Sequence, residues 1–479
     1  MLQTSSPFSF ILFGASGNLA QLKIYPALYV LALKRRFPSH YAIIGYSRTK
    51  MTDDAFRTFV ANAIRKDMLE VTEPALEEFL AHVHYVSGQY DNVDDMKKLK
   101  TKLTTLEKGW ASPVRVAYLS IPPQVMVPTL KGLCAAQIRE GSGGLRCIVE
   151  KPVGHDMKSF EEIQTQLTNC LEEDEIFLLD HYLGKEAVRN VYYLRYGNPV
   201  LERLFKNTLI HHIEVTAEET VGIEGRASYF EHTGTLRDMI QSHLLELCSL
   251  LTMDLRDGDD AVAQSRLDAF KQLYLPPASS LDDVIVQGQY GSGEIGKAKV
   301  KGYQEEEGIA PGSRTSTFVA LKLLSRSATW QGVPFYFRSG KRLPKKETRI
   351  TLRFQEPRIV GQGSNPNRLD IILQGEAGMR LSLQTKLGGS EPAFRPLVLT
   401  DPLVCVGDCL PEHGLLILEA IGGKRNWFLT FEEVRTAWRL IDPLQTYLDQ
   451  SSTPLHSYSA GTFPEAANRW IERDGISWY

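Results

Sequence analysis

The densest cluster of chemistry-bearing side chains is Asp180-His181-Tyr182-Leu183-Gly184-Lys185-Glu186, directly after the apolar run Ile176–Leu179. His, Tyr and Lys within five residues can converge on one phosphate if the chain turns there, and Gly184 permits a turn. A second cluster, Leu236-Arg237-Asp238-Met239-Ile240-Gln241-Ser242-His243-Leu244, sets a carboxylate and an imidazole five residues apart in a helical stretch. On an α-helix that spacing does not bring the two to one face. Near the amino terminus, Phe10–Phe13 runs into Gly14-Ala15-Ser16-Gly17-Asn18-Leu19-Ala20, a strand, a small-residue turn and a helix start. A pyrophosphate can approach such a backbone closely and lie on the helix N-terminus, where free N–H groups and the dipole favour anions. The next strand ends at Gly45-Tyr46-Ser47-Arg48-Thr49. Dinucleotide folds read the adenosine ribose at that point, and the cation Arg48 suits a 2′-phosphate where an acid would suit the hydroxyl, so NADP is favoured over NAD. Two later strand ends face the same ligand: Tyr118-Leu119-Ser120-Ile121-Pro122-Pro123, and Glu150-Lys151-Pro152, whose lysine can touch both substrate and nicotinamide.

The elements that must carry these residues fall into two styles. Up to about residue 180, apolar runs (Phe8–Phe13, Tyr41–Tyr46, His84–Val86, Val114–Ile121, Cys147–Val149, Ile176–Leu179) alternate with helical patterns, which predicts parallel βαβ units in a doubly wound, Rossmann-like α/β domain over 1–180. Over 181–479 the strand-like runs follow one another without long helices, from Ile210–Thr216 through Phe318–Leu323 and Thr348–Phe354 to Pro396–Leu399. This predicts an α+β domain with a large, mainly antiparallel sheet. Helices are expected over Glu231–Met253, Leu415–Ile421 and Phe431–Leu440, the last stopped before Pro443.

Composition removes several function classes. With 54 Lys+Arg against 57 Asp+Glu the net charge is −3, so no bulk attraction to nucleic acid or anionic lipid is available and an anionic ligand needs local cations. No apolar run approaches a membrane span, and Met1–Pro7 lacks the basic start of a signal peptide, so a cytoplasmic chain is expected. The six cysteines are dispersed without a CxxC pair, so neither a disulfide scaffold nor a zinc site is expected. His82 with His84, and His211 with His212, lack further ligands at metal spacing and read as strand residues.

Taken in order, Gly14–Ala20, Glu150-Lys151-Pro152, Asp180–Glu186, Glu219 through Gly225-Arg226, Arg237–Leu244, Arg338-Ser339-Gly340-Lys341 and Pro454-Leu455-His456 with Ala460-Gly461 resemble the glucose-6-phosphate dehydrogenase family over essentially the whole chain. The resemblance implies oxidation of glucose 6-phosphate at C1 to the lactone with hydride transfer to NADP, the opening step of the oxidative pentose phosphate pathway, with NAD a weaker alternative and no metal. By matching positions it implies His243 as general base, Asp180 as its carboxylate partner, and Lys23 between sugar and nicotinamide. His181, Tyr182 and Lys185 would grip the phosphate. Glu219, Asp238, Lys341 and Lys346 would read hydroxyls or complete the anchorage, with Lys151 serving sugar and cofactor alike. Gly14, Ala15, Ser16, Gly17, Asn18, Leu19, Arg48 and Tyr118 would hold the dinucleotide. It also implies a homodimer or homotetramer.

Several positions depart from the family pattern. Asn18 replaces an aspartate, Gln21 and Leu22 stand where basic residues are frequent, Ser242 replaces an asparagine, and Pro411–Leu415 replaces an Asp-Ala-Tyr-Glu-Arg stretch. Glu347, Thr351 and Ile372 stand where animal relatives place basic residues around a second, structural NADP, so that second site is not expected. A dehydrogenase of free sugars or inositols would share Glu-Lys-Pro but has no use for a phosphate clamp, and a non-catalytic sensor has no use for His243 with Asp180.

Overall fold

The computed structural model describes residues 6–479 apart from 69, 255, 257, 259, 260, 360, 392 and 404. Strands β1 (Phe8–Phe13), β2 (Tyr41–Ser47), β3 (Val83–Ser87), β4 (Val114–Leu119), β5 (Leu145–Glu150) and β6 (Ile176–Leu179) form one sheet in the order β3-β2-β1-β4-β5-β6, every neighbouring pair parallel. All residues of β1, β2 and β6 are buried, as expected where helices cover both faces and no side of the strand stays wet. The order turns back at β1, so the carboxyl ends of β1, β2 and β4 open on a topological switch point, the crevice such sheets offer to ligands.

This sheet belongs to a compact unit made of Met1–Lys185, Gly258–Ala263 and Gly407–Val434. The last segment supplies the helix Glu412–Gly422, which packs against the helix Tyr25–Leu33 and the turn His181–Gly184. One expectation is corrected here. Cys134, in the last turn of the helix Pro123–Ala135, and Cys170, just beyond the helix Met157–Thr168, form a disulfide with Cα atoms 5.8 Å apart. The two helices pack together and end side by side, a closeness that a separation of 36 residues does not advertise. Cys405 and Cys409 are also disulfide-bonded, whereas Cys147 and Cys248 are free and buried.

The other unit comprises Glu186–Asp257, Gln264–Val406 and Arg435–Tyr479. Its strands are β7 (Ile210–Glu218), β8 (Leu273–Tyr274), β9 (Ile285–Gly291), the small hairpin β10 (Gly293–Ile295) and β11 (Ala298–Val300), β12 (Phe318–Ser325), β13 (Phe335–Gly340), β14 (Glu347–Phe354), β15 (Arg368–Gln374), β16 (Gly378–Lys386), β17 (Phe394–Asp401) and β18 (His456–Ser459). Ten of them make one sheet, ordered β17-β16-β15-β14-β7-β13-β12-β9-β18 with β8 on β12. Only β7–β13 and β9–β18 are parallel, so the sheet is mainly antiparallel. One face is an apolar core layer built on Ile213, Val215, Phe335, Phe337, Ile350 and Leu352. The opposite face is buried yet polar, with Arg338 Nη2 2.6 Å from Glu218 Oε1 and Thr351 Oγ1 donating to Asp370 Oδ1.

The helical stretch over Glu231–Met253 resolves into Ala227–Thr235, a π-helix Leu236–Leu244, and Leu245–Thr252. The helix expected over Phe431–Leu440 does not stop before Pro443; it runs from Phe431 to Leu448. Buried Ile441, Leu444 and Leu448 flank the proline, and their packing outweighs its lost backbone bond. Among the described residues no helix is long and apolar enough to cross a membrane.

Candidate active site

The phosphate-type turn forms where expected. Gly14 has φ +80°, and a Cβ there would lie 1.9 Å from the Ser120 carbonyl oxygen, so only glycine fits. The turn is pinned from three sides: Gly14 N–H and Ala15 N–H donate to Tyr46 O, Gly17 N–H donates to Gly14 O, and Tyr25 Oη donates to Ala15 O at 2.5 Å. Ser16 Oγ bonds Ser47 and Thr49 on the next strand end, while Asn18 faces solvent and Leu19 is half-buried. Beyond Leu19 the chain enters a π-helix, Ala20–Ile24, which carries Lys23 to within 3.7 Å of Glu412. Arg48 is exposed at the end of β2 with its guanidinium 5.8 Å from the Tyr90 ring.

The neighbouring strand ends hold a second group. Tyr118 is fully buried on β4, and its hydroxyl donates to Glu150 Oε1. Burial, reinforced by the Glu150 charge, holds this phenol well above its ordinary pKa, so it stays a donor. Lys151 Nζ lies 2.9 Å from Oδ2 of the fully buried Asp180. Oδ1 of the same carboxylate accepts the Tyr182 N–H, which makes Asp180 the N-cap of the 3₁₀ turn His181–Gly184. Lys185 Nζ, just past that turn, sits 3.6 Å from the Tyr182 ring centroid. Gly184 is corrected in its reason: its φ is not positive, and it is required for space, because a Cβ would lie 2.4 Å from Glu412 O.

In the other unit the π-helix changes the reading of Asp238 and His243. With i→i+5 hydrogen bonding, residues five apart stack one above the other, as residues four apart do on an α-helix, so the pair shares a face. His243 is buried, and Asp238 accepts the Tyr229 hydroxyl at 3.2 Å. Burial and then the Asp238 charge push the Tyr229 phenol up, so it also stays a donor. Lys341, 2% exposed, is held by Glu219 at 2.5 Å and lies 5.1 Å from the Phe230 ring. Lys346 is not brought to that pair. It is exposed and lines a separate cavity of about 430 Å³ with Arg349 and Asp370.

Three neighbours escaped the sequence: Tyr229, Glu412 and His413. Tyr229 lies on the preceding helix, Ala227–Thr235, and reaches Asp238 across the kink at Gly234, which no local spacing announces. Glu412 and His413 reach the first unit's strand ends from more than 200 residues downstream, and nothing local marks them.

The two domain descriptions of one family match nearly the whole chain: "Glucose-6-phosphate dehydrogenase, NAD binding domain" over 11–190 and "Glucose-6-phosphate dehydrogenase, C-terminal domain" over 192–479. Glucose-6-phosphate 1-dehydrogenase of Streptococcus pneumoniae is 34% identical over 99% of this chain and 97% of its own length. That of Bacillus subtilis is 31% identical over 98% and 97%. A solved glucose-6-phosphate dehydrogenase in complex with its substrate glucose-6-phosphate superposes with TM-score 0.90 at 29% identity, covering 100% of this chain and 99% of that one. Motif order, two-sheet architecture and end-to-end similarity agree, and the chain belongs to the glucose-6-phosphate dehydrogenase family.

Proposed function

We propose that the protein oxidises D-glucose 6-phosphate at C1 to 6-phospho-D-glucono-1,5-lactone with NADP as the favoured hydride acceptor and NAD a weaker one. The observation that carries this is the double duty of Asp180, which pairs with Lys151 and at the same time caps the turn presenting His181, Tyr182 and Lys185. A buried carboxylate thereby fixes the position of a cationic, hydrogen-bonding strip suited to a phosphate monoester. Gripping the substrate at the phosphate positions its remote C1, and that binding energy can be used at the reacting carbon. His243 takes the proton from the C1 hydroxyl oxygen as hydride leaves the same carbon, with Asp180 as the carboxylate partner of the imidazolium. Lys341 with Glu219, and Asp238 with Tyr229, read the sugar hydroxyls, and Lys346, which lines a separate cavity, has no part in this grip. Lys23, beside Glu412, and Lys151, paired with Asp180, would serve sugar and nicotinamide alike.

The residues fit the dinucleotide. The turn at Gly14–Leu19 leads into a helix, Tyr118 is a locked donor, and Arg48 stands at the end of β2 over an aromatic ring, suited to a 2′-phosphate. Bound there, the cofactor supplies the hydride acceptor. We assign residues 1–180 to dinucleotide binding and 181–479 to substrate binding and pairing with a second copy. The test is NADP reduction monitored with glucose 6-phosphate and, in parallel, free glucose. Turnover with the phosphorylated sugar alone is expected; equal turnover of both would refute the phosphate clamp.

A further inference from the structure

The helix Glu412–Gly422 buries Leu415, Leu416, Ile417, Leu418, Ala420 and Ile421, and in its first turn it also buries a histidine, His413, at 4% exposure. Each ring nitrogen faces a carboxylate: Nε2 is 3.5 Å from Glu150 Oε1, and Nδ1, 3.6 Å from Glu412 Oε1, is buried without a hydrogen bond. An apolar side chain would fill this hole without desolvating a polar ring, so local packing alone does not account for the histidine. Departures of this kind from local rules concentrate at functional sites.

The surroundings supply the function. Glu412 Oε1 is also 3.7 Å from Lys23, and Glu150 Oε1 accepts the hydrogen bond of the Tyr118 hydroxyl. A polar string therefore runs Lys23–Glu412–His413–Glu150–Tyr118, with His413 as its central link. Beside it, the His413 ring lies parallel to His181 within 6° at a centroid distance of 6.2 Å. Both arms return to one place. Glu150 precedes Lys151, which pairs with Asp180, and Asp180 caps the turn that carries His181.

We propose that His413 is a positioning residue of the sugar-phosphate site, wedged between Glu150 and His181 so that the Lys151 loop and the His181 turn are held in fixed register. This rests on the proposed activity and extends it to a residue that touches neither sugar nor cofactor. Its loss relaxes the phosphate grip and leaves hydride transfer from a correctly bound substrate intact.

The experiment compares His413→Phe, which keeps a flat ring, with His413→Gln, which restores a polar group toward Glu150. KM for glucose 6-phosphate, KM for NADP, kcat and thermal melting are read for each. His413→Phe is expected to raise KM for the sugar phosphate about tenfold with kcat within about threefold and KM for NADP unchanged, and His413→Gln to recover most of that loss. A folded Phe variant with unchanged sugar-phosphate KM overturns the proposal. So does a uniform fall in kcat and both affinities that tracks lower melting and is not rescued by Gln. If the Phe variant does not fold, Glu150→Gln reads the same arm, and an unchanged KM there is equally fatal. If wild-type protein turns over no glucose 6-phosphate, the functional reading fails separately. Calorimetry with inorganic phosphate then decides this claim, equal affinity in wild type and variants overturning it.

Discussion

Two lysines, one in each unit, sit largely out of water, Lys341 at 2% and Lys151 at 15% side-chain exposure, and each is held by a carboxylate within 2.9 Å. A paired ammonium so placed is held at a fixed point, which is the condition for offering a defined cation to a ligand. At this scale three outcomes are expected. His243→Asn should lower kcat by about 10²–10⁴ with sugar-phosphate binding retained, as measured by steady-state kinetics and calorimetry, and unchanged turnover would remove His243 from the chemistry. Asp180→Asn should impair the same step less; a defect in binding alone would make it a structural cap. Arg48→Ala should weaken NADP far more than NAD, since only NADP loses a charge-assisted bond, and an equal loss for both would locate the preference elsewhere. Single residues were legible when their chemistry clustered along the chain, as in Asp180–Lys185. They were illegible when, like His413, they depend on a partner brought from far away by the fold.

The dinucleotide turn runs into a π-helix, Ala20–Ile24, and Asp238 and His243 lie on another, Leu236–Leu244, whereas the Asp180 cluster sits on a 3₁₀ turn. Strand runs such as Phe10–Phe13 and Ile176–Leu179 could be read residue by residue, because burial on both faces leaves an unbroken apolar signature. Helix type could not, since α and π turns differ by one residue per hydrogen-bonded loop and share the same composition. Pro443 shows the same limit from the other side: local propensity ends a helix that tertiary packing continues to Leu448. The close seating of the turn His181–Gly184 on the helix Glu412–Gly422 gives a prediction at this level. Gly184→Ala places a methyl 2.4 Å from Glu412 O, which only a shift of helix or turn can relieve. A stability loss of about 1–3 kcal/mol by denaturant unfolding, together with a higher KM for the sugar phosphate, is expected. Wild-type values in both would mean that the turn moves freely.

At the scale of the whole molecule, the large sheet ends in β17, where Leu397 is 39%, Val398 48% and Leu399 52% exposed. Leu399 and Leu397 pair with Leu381 and Leu383 of β16, so one apolar ladder reaches the edge of the sheet incompletely covered. A long open edge of this kind invites association, and two-fold pairing is the commonest way soluble chains close it. Light scattering at micromolar concentration should give at least twice the 53.8 kDa chain mass. Leu397→Asp with Leu399→Asp should reduce it toward one chain with melting largely retained, and a wild-type mass of one chain would leave this sheet end solvated. The composition of the first unit has a consequence in time. Its helix Glu412–Gly422 is synthesised only after roughly 220 further residues have followed Lys185. At about 5–20 residues per second, the dinucleotide half of the nascent chain waits on the order of 10–40 s for the piece that completes it. During that interval the apolar surface that the helix Glu412–Gly422 covers stays exposed on the nascent chain.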